Sequence, residues 1–206
     1  MTMKKKMKNS VRVFAPASSA NLGSGFDVFG LAFQGPGDEV QLTRNTAKGL
    51  RITSIKGDGG KLSKKITENT AGVALLAFFA ETGITPDVDV QIHKRMPLGS
   101  GMGSSAASAV AAVYAANELF GKPLKKQELV RIAMEGERVA SGAPHADNIA
   151  PSMLGGITLV RAGKEFEVLS LPVPSKLRVV IIHPDIHLST ADSRVALPKT
   201  LPMKTA

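Results

Sequence analysis

The sequence predicts an α+β fold, on three observations. Segments that alternate apolar and polar side chains are interleaved with segments of helical spacing. Several of the alternating segments crowd the first half of the chain. A glycine-rich turn also feeds directly into an alanine-rich helical run.

Taken in order, Val11 to Ala15 is a short β-type run that ends at Pro16. Pro16 to Asp27 is small and polar and follows a strand, so it reads as a functional loop. Asp38 to Arg44 and Leu50 to Ile55 alternate and read as half-buried strands. Thr70 to Glu81 is apolar on most sides and meets a glycine stop at Gly83, which predicts a helix. Val88 to His93 alternates again, and Ala106 to Phe120 is the alanine-rich helix. Leu124 to Val139 has helical spacing, with Leu129, Ile132, Ala133 and Val139 on one apolar face. Gly156 to Arg161 and Leu177 to His183 read as later strands.

At 206 residues, 43% of them hydrophobic and 21% charged, the chain can bury a substantial core. It has no cysteine, so disulfides and thiolate metal sites are excluded and a reducing cytoplasm is expected. Residues 1–10 form a basic tail carrying Lys4, Lys5, Lys6 and Lys8. No apolar run long enough for a signal peptide or a membrane span follows it, so no membrane partner is expected. The net charge of +9 raises the question of nucleic acid, but four of those charges lie in the tail and the rest are dispersed. With one Tyr and no Trp there is little to stack on bases, and no nucleic-acid partner is expected.

The strongest local signal is Pro97-Leu98-Gly99-Ser100-Gly101-Met102-Gly103-Ser104-Ser105. Glycines at alternate positions let backbone N–H groups approach an anion, and the helix that follows offers unpaired N–H groups and a positive dipole end. The pattern reads as a phosphate cradle. It is not a Walker A loop, because no Lys follows the glycines, and its glycine spacing is not that of a dinucleotide fingerprint. A second constellation runs from Glu135-Gly136-Glu137 through His145-Ala146-Asp147-Asn148 to Ala150-Pro151. A carboxylate late on a helix suits Mg²⁺, which takes one or two carboxylates beside phosphates, and His, Asp and Asn in a Pro-bounded loop suit a small polar substrate. Singly, Glu137 reads as a solvated helix-face carboxylate and His145 and Asn148 as loop caps; as a group they read as a site.

These stretches, in this order, resemble the GHMP kinase superfamily and, within it, the homoserine kinase family. Pro16 to Asp27 is similar to the family's N-terminal substrate motif and Pro97 to Ala107 to its phosphate loop. Gly136-Glu137 with His145 to Asn148, and Thr190-Ala191-Asp192-Ser193-Arg194 before Leu197-Pro198, narrow the resemblance to the homoserine branch. The resemblance implies a ribosomal-protein-type α+β nucleotide-binding domain over 11–160, with 161–206 opening a ferredoxin-like second domain of which most is expected to be absent. It implies ATP and Mg²⁺ as cofactors and L-homoserine as substrate, phosphorylated on its side-chain hydroxyl for threonine biosynthesis. Ser105 and Glu137 would ligate Mg²⁺, the backbone from Gly99 to Ser104 would cradle the phosphates, and Asn69 would lie near the adenine. Asn21, Asp27, His145 and Asn148 would hold homoserine, and Thr190 with Arg194 would grip its carboxylate through the guanidinium fork. Asn148, not a carboxylate, matches the residue beside the reacting hydroxyl, so catalysis would rest on in-line positioning and charge neutralisation. A homodimer is expected of the full-length protein. Two other classes stay open: a non-catalytic nucleotide-binding or dimerisation unit of the same fold, and a nucleic-acid-binding module.

Overall fold

The alternating segments pair into one mixed sheet. The computed structural model describes residues 8–161, 166–182 and 200. Strand β1 (Ser10–Ala20) lies antiparallel to the long β2 (Phe29–Arg44). The other edge of β2 is shared by two partners. Strand β4 (Val88–His93) pairs with Glu39 to Arg44, and β5 (Ile157–Arg161) pairs with Phe29 to Leu31. Strand β3 (Leu50–Lys56) runs parallel to β4, and β6 (Glu167–Leu171) extends the sheet beyond β5. Between Leu31 and Glu39 the two partners of β2 diverge, and the sheet forks.

Three helices pack on one another: α1 (Thr70–Thr82), α2 (Ser104–Leu119) and α3 (Lys126–Ser141). Helix α2 lies against β1 and β2. It is buried almost all round, and its run of Ala and Ser lets neighbouring backbones come close. Helix α3 is amphipathic, with Leu129, Val130, Ile132 and Ala133 inward. Asn69 caps α1 by accepting from the N–H groups of Ala71 and Gly72, and Gly83 ends it in the left-handed conformation at φ 65°. The core gathers Val40, Leu42, Val88 and Val90 from the sheet with Leu75, Phe78, Val113 and Leu129 from the helices.

The alternating and helical patterns place β3, β4, β5 and the three long helices to within a few residues. Four local expectations are corrected. Strand β1 does not end at Pro16 but continues to Ala20, so Pro16 to Ala20 is strand and not loop. Among the described residues β1 pairs only with β2, and an edge strand tolerates a proline without an N–H; a register shift between Pro16 and Ser18 absorbs the irregularity. Strand β2 begins at Phe29, well before Asp38. The His145 to Pro151 stretch is not all loop: helix α4 (Ile149–Leu154) starts within it, and Pro151 sits in the first turn, where no N–H is needed. Residues 177–182 form no strand. They have no ladder partner among the described residues, and Val180 and Ile182 stand fully in solvent.

Candidate active site

A cleft of about 500 Å³ opens beside the ends of β1 and β4, and the N-terminus of α2 lines it. Leu98 to Gly101 and Gly103 to Ser105 line the cleft; Pro97 and Met102 do not. Gly99, Gly101 and Gly103 all take φ near +70°, a conformation that side-chain-bearing residues rarely adopt. Gly103 is the N-cap of α2, and no side chain caps that helix. The N–H groups of its first turn are therefore left to a ligand, and the helix dipole favours an anion there.

Beneath the loop lies a charged pair that the sequence reading did not single out. Asp38 on β2 and Lys94 just beyond β4 form a fully buried salt bridge. The Lys94 Nζ also donates to the Ser104 carbonyl and to Ser108 Oγ, each at 2.7 Å. Asp38 accepts from the N–H of Arg95 at 2.8 Å, from the N–H of Met96 at 3.2 Å and from Ser104 Oγ at 2.7 Å. Burial pulls the Lys94 ammonium below the usual lysine range, and the Asp38 carboxylate opposes that pull. The signal for the pair was present in the sequence. Asp38 keeps the inward phase of Val40 and Leu42, and Lys94 keeps that of Val88, Val90 and Ile92.

Glu137, on α3, faces the same cleft. It is 8% exposed, its Oε1 has no hydrogen-bond partner, and burial pushes its carboxyl up to about 7 against the pull of the Ser105 hydroxyl. Ser100 Oγ in the loop is likewise buried without a partner. Among the described residues no cluster of three or more His, Cys, Asp or Glu side chains could hold a metal alone. A lone orphaned carboxylate beside a serine hydroxyl fits a hard cation that arrives with phosphate oxygens as its other ligands.

On the facing wall, Asn21, His145, Asp147 and Asn148 line the cleft. Asn21 sits at φ 58° and its Oδ1 accepts from the N–H of Asp27 at 2.8 Å. Asp27, also at φ 58°, lies 3.8 Å from His145 Nδ1. Asn148 Oδ1 accepts from Ser18 Oγ at 3.0 Å. Asp147 is buried, and desolvation raises its carboxyl above the ordinary aspartate range while the N–H of Asn148 opposes this. The glycine at position 30 is what lets this segment close on the sheet, since a Cβ there would lie 1.8 Å from the Asp147 carbonyl oxygen. Asn69 lines the cleft too, and its amide is partly engaged: Oδ1 caps α1 and one hydrogen of Nδ2 goes to the Ser63 carbonyl at 2.9 Å. The structure thus brings together every proposed site residue it describes except Pro97, Met102 and Asp27, which lie beside the cleft lining. Thr190 and Arg194 lie outside the described residues.

The chain is similar to known proteins in sequence and in fold. Residues 69–156 match the family model for the GHMP kinases N terminal domain. A homoserine kinase of Chlorobium phaeobacteroides (strain BS1) is 45% identical over 207 residues, covering 96% of this chain and 65% of that protein. One from Chlorobaculum tepidum is also 45% identical and is covered over 64% of its length. The chain therefore spans a little under two thirds of these relatives. The crystal structure of a homoserine kinase from Cytophaga hutchinsonii superposes with a TM-score of 0.93 at 46% identity, covering 99% of this chain and 65% of that one. A mevalonate kinase of L. major, solved with R-mevalonate, shares the fold at a TM-score of 0.64 and 19% identity. Fold and relatives converge: residues 69–156 form a GHMP kinase N-terminal domain.

Proposed function

We propose that this chain forms the nucleotide-binding portion of an ATP-dependent homoserine kinase, which transfers the γ-phosphoryl group to the side-chain hydroxyl of L-homoserine and yields O-phospho-L-homoserine for threonine synthesis. The observation that carries the reading is one cleft in which a glycine loop, an orphaned carboxylate and the Asn148 amide face each other, in a chain 45% identical to homoserine kinases. The first turn of α2 binds the phosphates through backbone N–H groups. Ser105 and Glu137 hold Mg²⁺, which neutralises charge on the phosphates when bound. Asn21, Asp27, His145 and Asn148 orient the amino-acid substrate, while Thr190 and Arg194 take its carboxylate. Asn69 caps α1 and lies near the adenine, with the second hydrogen of its Nδ2 left to reach the base. No carboxylate stands at position 148, so transfer depends on alignment and charge neutralisation. The full-length protein works in the cytoplasm as a homodimer. No helix among the described residues is long and apolar enough to cross a membrane.

The test is a coupled ADP-release assay on the full-length protein, with L-homoserine, mevalonate and galactose as acceptors and the product identified by mass. Turnover with homoserine alone is the expected result, and turnover confined to another alcohol overturns the reading. Arg194→Leu should weaken homoserine binding about tenfold or more, the loss of a bidentate charged contact, and leave ATP affinity nearly unchanged. Equal homoserine affinity in parent and variant would remove Arg194 from the site.

A further inference from the structure

We propose that Ser18 is a positioning residue that fixes the Asn148 amide and ties it to the phosphate loop. Ser18 lies in the part of β1 beyond Pro16 and is fully buried. Its N–H donates to the Met102 carbonyl at 3.1 Å, which joins β1 to the loop one residue before the α2 N-cap. Its hydroxyl donates to Asn148. It is shared between the Asn148 backbone carbonyl at 3.1 Å and Asn148 Oδ1 at 3.0 Å. One residue therefore touches the phosphate loop with its backbone and the acceptor-side amide with its side chain.

Two consequences follow from hydrogen-bond chemistry. With Oδ1 held by the Ser18 hydroxyl, Nδ2 is the group that Asn148 offers to the cleft, as a donor only. Nδ2 has no hydrogen-bond partner among the described residues. A donor there suits the oxygen of an alcohol acceptor, whereas a flipped amide would present a carbonyl oxygen to the same place. The contact is also tight. A Cβ placed on Gly103 would lie 2.4 Å from Ser18 Oγ and 2.9 Å from Asn148 Oδ1, so the N-cap glycine, the serine and the amide form one packed junction. A second hydrogen bond, from Ser152 Oγ to the Pro16 carbonyl at 2.9 Å, holds α4 against the same strand. A shift of the phosphate loop would strain the Ser18–Met102 hydrogen bond, and a shift of Ser18 would strain its bonds to Asn148.

The assignment rests on the proposed alcohol-phosphorylating role, and the experiment separates the two. In Ser18→Ala, and in Ser18→Cys with its weaker donor, the side-chain amide resonances of Asn148 are followed by ¹⁵N–¹H NMR in the nucleotide-free protein. The parent should show one narrow pair, Ser18→Cys a broadened pair, and Ser18→Ala a pair exchanging or displaced. Homoserine turnover is measured alongside in the full-length protein. There kcat should fall about tenfold to a hundredfold in Ser18→Ala while ATP affinity stays within about twofold, since a small misplacement of one reactant acts on the chemical step. Asn148→Ala should lose no further activity when combined with Ser18→Ala. Unchanged Asn148 resonances in Ser18→Ala overturn the assignment, as do independent, multiplicative losses in the double variant. A parent protein without homoserine turnover would count against the proposed function, and the Asn148 resonances would still decide the role of Ser18.

Discussion

Glu137 is held in a state that suits neither the free protein nor solvent, and its energetics follow from that one placement. Burial pushes its carboxyl up to about 7 from an ordinary value of 4.5. Between those values the folded chain keeps a proton that the unfolded chain has lost, so the metal-free protein loses stability as pH rises from about 4.5 to about 7. The loss is on the order of 3 kcal/mol. Glu137→Gln removes the charge and keeps the shape, so it should flatten this dependence and raise stability at pH 8. The same variant should abolish the Mg²⁺ dependence of nucleotide binding. Urea melts at pH 5 and pH 8 and a metal titration read the two effects, and a variant with the parent's pH slope would place the titrating group elsewhere. The sequence pointed to Glu137 through its neighbours in the Gly136 to Asn148 constellation. It did not distinguish a solvated carboxylate from an orphaned one, because the burial of Glu137 is set by how α3 lies against the loop, a contact between residues far apart in the chain.

Among the elements, the phosphate loop shows why three similar glycines are not equivalent. Spacing treats Gly99, Gly101 and Gly103 alike, and all three take positive φ. Only their surroundings separate them. A Cβ on Gly101 meets nothing within 4 Å, while one on Gly103 runs into Ser18 and Asn148. Gly101→Ala should therefore fold with a penalty of about 1–2 kcal/mol from backbone strain alone, and weaken nucleotide binding where the backbone must approach phosphate. Gly103→Ala should cost about 2 kcal/mol more, on the scale of overpacking, and impair transfer more than binding. Chemical denaturation with nucleotide titration separates the cases, and equal stability in the two variants would contradict this geometry. The helices and inner strands were legible from period and caps, because α1 ends at a glycine and β4 alternates without interruption. The tail of β1 and helix α4 were not. A proline reads as a stop in each, yet one lies on an edge strand and the other in a first turn, and the sequence does not show which backbone N–H groups are needed.

On the scale of the whole molecule, Asp38 with Lys94 closes the β2–β4 pairing directly beneath the start of α2. Extending the β2–β4 register by one step sets Asp38 opposite Lys94, so the pair occupies the next inward rung after Val40 and Ile92. Removing either charge strands the other in the core. Asp38→Asn or Lys94→Met should each destabilise by about 3–5 kcal/mol, while Asp38→Leu combined with Lys94→Met should recover much of that stability. The double variant should still bind nucleotide poorly, because Ser104 and Ser108 lose the ammonium that aligns the first turn of α2. Thermal melts with a nucleotide titration check this, and full nucleotide affinity in the double variant would make the pair a matter of packing alone. The carboxylate of Asp38 has one more consequence. It takes the N–H groups of Arg95 and Met96 where β4 leaves the sheet, so a side chain stands in for the missing strand. Those two amides should exchange with solvent slowly, like ladder amides, and become fast together in Asp38→Ala, which removes their acceptor, while their neighbours on β4 stay protected. Their exchange rates form a clock set at the mouth of the cleft, and it can be read without substrate, metal or turnover.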